Sequence, residues 1–372
     1  MTEKLTELKG GQNRFQIVGN VRLNEKTFAG VVEAASGWMY VNDRISIEVA
    51  ENVRPQVKLN GGYSKTKQIL YAFDEDNKSV QVPYKERNNE KILEHIRKNS
   101  FITVGLEKDK ENKLIRKRFL SAIDAEKYIS ETLTDEMSVS VYGTIEYGEY
   151  NGKETRDYML NSIWLNEGEK ALEPVARVIQ SYLVDETALP KNWKSELEKD
   201  GVVHVYTQVP QYFKKFEDKV VKKILPVHQD LVVKADIDDK DALKRAEGLV
   251  EKSFVVNSGV LRELTAVCSI NEGWNTSSGS EMKASDDVQS LIDLGLVTAE
   301  DISSIITVRG DVVKELVFEM PYFKTVDGII QLGIDDDKYD ISVLQTPEMD
   351  SDDEIDLKEE VAEEDELAKM FS

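Results

Sequence analysis

Apolar and polar residues alternate through the first third of the chain with the two-residue period of strands that bury one face. In RFQIVGNVRL (14–23), Phe15, Ile17 and Val21 stand among polar neighbours. In WMYVNDRISIEV (38–49), Ile45, Ile47 and Val49 share a face from Arg44 onward. QILYAF (68–73) and SVQVPY (79–84) flank the turn cluster DEDNK. The period then becomes helical in ERNNEKILEHIRKNS, where Ile92, Leu93 and Ile96 recur and Asn99 and Ser100 suit a helix end. FITVGLE (101–107), a charged loop and LIRKRFLSAI (114–123) predict a hairpin. The predicted order is several strands, one helix and a closing hairpin.

A further β segment follows. SVSVYGTIEYGEY (138–150) and RDYMLNSIWL (156–165) flank Asn151-Gly152, a pair suited to a tight hairpin because both turn residues take positive φ. Pro174 precedes VARVIQSYLVDE, which reads as helical, and NWKSELEKDG reads as a short helix ending at Gly201. VVHVYTQV (202–209) and DLVVKADI (230–237) predict strands, and DDKDALKRAEGLVEK (238–252) a helix. SFVVNSGV and LRELTAVCSI (253–270) predict strands around a turn, and 271–285 a loop. DDVQSLIDLGL predicts a short helix capped by Ser285 or Asp286, with acidic turns separating strands up to ISVL (341–344). After Pro347 the apolar content is too low for independent folding.

At 372 residues there is room for two or three domains, and 40% apolar content fits a globular body with a polar tail. No apolar run approaches the roughly 20 residues of a membrane span, and MTEKLTELKG lacks the apolar core of a signal peptide. The expectation is a soluble cytoplasmic protein, with no membrane partner. Cys268 is the single cysteine, which excludes a disulfide within the chain and a cysteine-based zinc site. The net charge of -22 is unevenly spread: +5 over 1–130, -6 over 131–230, -11 over 231–347 and -10 over 348–372.

Catalytic signatures are absent from the sequence. There is no GxxxxGK[ST], GxGxxG after a strand, HExxH or GxSxG. His95, His204 and His228 are scattered, and Cys268 in AVCSI reads as a small buried hydrophobe. In DIDDKDALKRAE, Asp236, Asp238 and Glu247 fall at calcium-loop positions one, three and twelve. Lys240 and Asp241 occupy positions where an oxygen ligand and a glycine are required, so this is an acidic helix start. The expectation is no enzyme, no catalytic residue, no metal and no cofactor. A metal-dependent nuclease using ordinary carboxylates stays an alternative. So does a non-enzymatic interaction or virion-assembly protein.

Positive charge clusters with aromatic residues in the first third. The 101–123 hairpin carries Lys108, Lys110, Lys113, Arg116, Lys117 and Arg118. Lys65 and Lys67 lie between Tyr63, Tyr71 and Phe73; Tyr84, Lys85 and Arg87 repeat the mixture, and Trp38 and Tyr40 lie upstream. Single-stranded nucleic acid requires these residue types. Cations follow phosphates and gain from counterion release. Aromatic rings stack on bases for roughly 1–3 kcal/mol each without regard to sequence. These sixteen residues are the candidate nucleic-acid site.

The order of strands, helix and closing hairpin over 14–123 resembles an OB-fold, a small barrel that often binds single strands. Joined to an acidic run from Asp350 to Glu366 and an apolar tip, it resembles bacterial and phage single-stranded-DNA-binding proteins. The chain departs from the bacterial pattern by ending on Ser372 after Phe371, without a long Gly/Gln/Pro linker. The resemblance implies a β-rich α+β fold in three parts: an OB-like basic domain (1–130), a mixed α/β region with room for a second OB-like unit (131–346), and a disordered acidic tail (347–372). It implies single-stranded DNA as partner, in phage or bacterial replication and recombination, with an oligomer allowed. It further implies a tail that competes for the DNA groove and recruits proteins through its tip. Leu367, Met370 and Phe371 stand at i, i+3 and i+4, one face of a helical turn.

Overall fold

The computed structural model describes residues 4–150, 153–216, 219–277, 286–294, 297–298, 308–326 and 328–344. Strand makes up 53% of it and helix 18%, so sheet hydrogen bonds rather than helix packing determine the architecture. The expected tail, with Leu367, Met370 and Phe371, lies outside the described residues.

The first half contributes β1 (Asn13–Arg22), β2 (Val32–Glu33), β3 (Trp38–Glu48), β4 (Gln56–Ser64), β5 (Ile69–Phe73) and β6 (Ser79–Pro83). There follow α1 (Glu90–Leu93), β7 (Ile102–Lys108), β8 (Leu114–Phe119), α2 (Ala122–Thr132), β9 (Ser138–Tyr150) and β10 (Lys153–Leu165). Five of these strands close a barrel. Val21 of β1 faces Ile47 of β3, and Ile45 of β3 faces Val57 of β4. β4 runs parallel to β10, with Val57 beside Tyr158. β10 pairs with β9, and β9 returns to β1 with Val141 opposite Ile17. Ile17, Val21, Val41, Ile45, Ile47, Val57 and Ile145 fill the interior and are almost fully buried. α2 joins the third barrel strand to the fourth and packs Tyr128 and Ile129 into the same core. This connectivity is that of an OB-type Greek-key barrel.

Three expectations are corrected here. The hairpin 101–123 does not close the barrel. β7 lies parallel to the outside of β10 and β8 is its outer neighbour, while β9 and β10 supply the closure, so the barrel continues past residue 130 to Leu165. The helix around 90–100 shrinks to the single turn of α1. Ile96 instead joins Ala72, Val82 and Phe101 in a small separate core under the β5–β6 hairpin. Residues 120–123 do not extend β8, because Ser121 caps α2.

The second half contributes β11 (Val175–Val184), α3 (Trp193–Asp200), β12 (Val202–Phe216), β13 (Lys219–Lys234), α4 (Lys240–Phe254) and β14 (Leu261–Ser277). α5 (Asp286–Asp293), β15 (Val308–Pro321), β16 (Phe323–Val326), β17 (Ile329–Leu332) and β18 (Ile334–Tyr339) complete it. These strands form a second closed ring of the same order. β11 pairs with β12, β12 with β13, and β13 runs parallel to β15. β15 pairs with β14, which returns to β11. α4 again joins the third strand to the fourth, with Phe254 edge-on to Phe318 at 4.8 Å. Asp239 caps α4 by accepting from Asp241 N (2.8 Å) and Ala242 N (3.0 Å), as the acidic helix start requires.

The predicted helix after Pro174 is the strand β11. It is paired on both edges, and from Gln180 to Val184 both faces are buried, which removes the alternation that marks a half-exposed strand. Residues 253–254 belong to α4 rather than to a strand, and Ile341–Leu344 form a 3₁₀ turn. β1 and β11, the first strands of the two rings, pair antiparallel with Phe15 opposite Val178. That pairing joins the two rings into one sheet.

Candidate nucleic-acid interface

The outward surface of the first barrel follows from strand alternation. In β3 and β4, Val41, Ile45, Val57 and Leu59 point inward. The remaining positions form an outer ladder: Trp38 opposite Ser64, Tyr40 opposite Gly62, Asn42 opposite Asn60, Arg44 opposite Lys58, and Ser46 opposite Gln56. Gly62 is required for this packing. A Cβ there would lie 2.0 Å from Met39 O and 2.7 Å from Tyr40 Cβ, so only glycine lets the Tyr40 side chain stand over the neighbouring strand. The ladder thus offers two rings and a row of amides and hydroxyls to solvent.

Its two cations are neutralised by one carboxylate. Asp157 on β10 accepts from Arg44 Nη2 at 2.8 Å and from Lys58 Nζ at 2.7 Å. Burial disfavours the Asp157 charge, but the hydrogen bonds from Lys58 and Arg44 outweigh it and hold the carboxyl below its usual range.

The same outer surface continues through β10 and β7 to β8. Trp164 on β10 lies beside Gly105 of β7, and Arg116 sits over its indole with Cζ 5.7 Å from the ring centroid. Arg118 lies over Phe101 at 5.1 Å. Both arginines are exposed, and among the described residues neither has a carboxylate within ion-pair distance.

The other predicted residues divide into two groups. Several have partners within the chain, some of them at the surface. Tyr63 stacks on Tyr84 at 3.9 Å, and Arg87 covers Tyr84 at 4.1 Å while pairing with Asp124. Lys117 faces the opposite side of β8, over the Tyr128 ring at 3.8 Å, with Glu107 3.6 Å away. Lys108 pairs with Glu167, Lys113 with Glu111 and Lys65 with Glu33, each at 3.0 Å or less. The rest are exposed. Tyr71 and Phe73 share a face of β5, as alternation implied, and that face is outward, 59% and 52% exposed. Lys67, Lys85 and Lys110 lie in exposed turns.

Trp164 was not legible as a surface residue. Alternation from Tyr158 and Leu160 puts it inward, but a bulge between Leu160 and Ser162 shifts the register and turns it out. The second barrel carries the counterpart of the β3–β4 face on β12 and β13, where Tyr206 and Tyr212 are 48% and 54% exposed. The alternation in VVHVYTQV, with Val203 and Val205 inward, was the signal that could have placed Tyr206 outside.

Cys268 is fully buried, and burial pushes its thiol up to about 12, which removes it as a nucleophile. Among the described residues no group of three or more His, Cys, Asp or Glu is placed to hold a metal ion. No helix among them is long and apolar enough to cross a membrane.

No family model matches the chain. No curated protein matches it either. Among solved structures it is similar to the single-stranded DNA binding protein from Thermus aquaticus, in wild-type form and as a deletion mutant. Each aligns at a TM-score of 0.30 and 11% identity, covering 71% of this chain and 87% and 89% of those chains respectively. At that TM-score the strand pairings themselves, rather than these neighbours, define the fold.

Proposed function

We propose that the chain binds single-stranded DNA without sequence preference, in support of replication or recombination in a phage or bacterial setting. The observation that carries this reading is the outer face of the first barrel. It combines outward rings at Trp38, Tyr40 and Trp164 with the exposed guanidinium groups of Arg116 and Arg118. Rings and cations on one sheet surface suit an unpaired strand, whose bases are free to stack while its phosphates meet the arginines. The amides of Asn42 and Asn60 add hydrogen bonds that any base can use. In the same reading the acidic C-terminal segment competes with DNA, and its tip residues Leu367, Met370 and Phe371 dock on replication or recombination proteins.

The test is a salt-titrated binding curve on oligothymidylate and oligouridylate, with duplex DNA as comparison. Binding that weakens with salt, prefers unpaired strands and favours the deoxy oligomer supports the proposal. Failure to bind any oligonucleotide at low salt ends it.

A further inference from the structure

The two barrels share an order of strands but not an open surface. On the second, Val203, Val205, Val209, Leu225 and Leu231 point inward. The outer ladder of β12 and β13 therefore pairs Tyr206 with Asp230, Gln208 with His228, Pro210 with Pro226 and Tyr212 with Ile224. Strands two and three of an OB-type barrel carry the face on which ligands ordinarily lie. In the first barrel the centre of that face is open, with Asn42 and Asn60 exposed. In the second, Gln208, Pro210, Pro226 and Ile224 are half-buried, although Tyr206 and Tyr212 on either side of them are exposed.

The cover is the chain's own N-terminal segment. Residues 4–12 precede β1 and run across β11 and the outer ladder to β18. Gln12 O accepts from Ser181 N of β11 at 2.9 Å, and Gln12 N donates to Ser181 Oγ at 3.0 Å. A Cβ on Gly11 would lie 2.5 Å from Ser181 Cβ and 3.5 Å from Pro210 Cγ, so only glycine lets the backbone rest this closely on the ladder. Leu8 is the anchor. It is buried with Leu183, Leu261, Tyr339 and Val343, and Ile224 packs against that cluster. Lys9 N donates to Tyr339 Oη at 3.2 Å, and Leu5 N donates to Lys338 O of β18 at 2.9 Å. The charges of the segment are Lys4 and Lys9 against Glu7, so it blocks by volume and not as a competing polyanion.

We propose that residues 4–12 are an autoinhibitory strap. They hold the outer face of the second barrel closed, so that one chain takes a single strand on its first barrel alone, and release of the strap opens the second. The inference rests on the reading that the chain binds single strands, and adds a control on how many of its barrels take part. Leu8 and the hydrogen bonds at either end of the segment keep it seated against a competing strand.

The experiment uses the full chain and an oligothymidylate of about 30 nucleotides, enough for two barrels at roughly 4–16 nucleotides each. It reads the nucleotides covered per chain together with amide exchange at Leu5 and Gln12. The unmodified chain should cover one barrel's length, with both amides protected before and after saturation. Gly11→Val drives a side chain into Ser181, and Leu8→Ser removes the anchor. Each should speed exchange at both amides and raise the covered length about twofold. Adding Tyr206→Ala with Tyr212→Ala to either variant should cancel the increase, and in the unmodified chain should leave coverage as it was. Thermal midpoints check the fold, and if Leu8→Ser unfolds, Gly11→Val decides. Coverage of two barrels' length by the unmodified chain overturns the proposal, as do folded strap variants that lose amide protection and cover no more. If Trp38→Ala with Tyr40→Ala still abolishes binding in those cases, this inference alone falls. If no form of the chain binds the oligomer, the underlying reading falls with it.

Discussion

Arg156 and Glu272 form a buried ion pair across the boundary between the two barrels. Arg156 Nε and Nη2 both donate to Glu272 Oε1, the former over 3.1 Å, and the two side chains are 11% and 12% exposed. Tyr158 Oη donates to the same oxygen at 2.7 Å, and Arg156 Nη1 reaches Gln229 at 3.1 Å. The pair links β10 of the first barrel to β14 of the second, with β13 attached through Gln229. At the next residue of β14, a Cβ on Gly273 would lie 1.7 Å from Asn52 O, so the backbones meet there as well.

Removing one member of this pair leaves a buried charge without its partner. Arg156→Met is expected to destabilise the protein by about 3–5 kcal/mol, read from urea unfolding. Arg156→Met combined with Glu272→Met should recover much of that loss, because the desolvation cost disappears together with the attraction. Additive losses in the double variant would show that the two residues act independently.

The first barrel also buries an acid. Asp43 is 2% exposed; its Oδ1 accepts from Ala29 N at 3.0 Å, and its Oδ2 has no hydrogen-bond partner. Burial raises its pKa, against a smaller opposing effect of the Ala29 hydrogen bond. Glu126 on α2 is raised by burial and by the nearby Asp43 charge. A group whose folded pKa is raised stabilises the protein below its unfolded pKa, and that stabilisation is lost as pH rises through the folded value. Asp43→Asn keeps the acceptor and removes the charge. It should stabilise the chain at neutral pH by about 1 kcal/mol, raise the melting temperature there, and flatten the pH dependence above the usual carboxylate range. A lower melting temperature at neutral pH would mean that the carboxylate is needed ionised.

Much of the barrel was legible in the sequence because half-exposed strands alternate. Phe15, Ile17, Ile45 and Ile47 mark their buried faces without help from tertiary structure. Ring closure was not legible, because nothing local connects Ile17 with Val141. β11 was misread for the opposite reason. With both faces buried toward its end, Tyr182, Leu183 and Val184 follow one another with no polar residue between them. For the candidate site, composition names residue types but not their orientation. Tyr63, Tyr84 and Arg87 stack on one another because the end of β4 meets the 3₁₀ turn after β6, a contact with no sequence signature.

On the first barrel the stacking and electrostatic contributions can be separated. Trp38→Ala with Tyr40→Ala should weaken oligonucleotide binding by about 1–3 kcal/mol per ring, largely independent of salt. Arg116→Gln with Arg118→Gln should lower the salt slope by about 1.4 if both meet phosphate. Tyr63→Phe, which keeps the internal stack, should leave affinity unchanged. Equal losses from all three variants would point to a general effect on the fold, detectable by thermal unfolding.

The acidic C-terminal segment can be tested in the same assay. Residues 348–372 carry -10 and begin soon after Leu344. Val343 is buried with Leu8, Leu183, Leu261 and Tyr339, and Leu344 and Ile224 of β13 pack against that cluster. A covalently linked polyanion acts at an effective concentration of roughly millimolar. Deleting 348–372 should tighten oligonucleotide binding, most strongly at low salt where the competing charge is least screened. Equal affinity with and without the segment at low salt would remove competition from its roles. Phe371→Ala should then leave DNA binding unchanged in either case, since its apolar side chain is assigned to partner proteins and not to the polyanion effect.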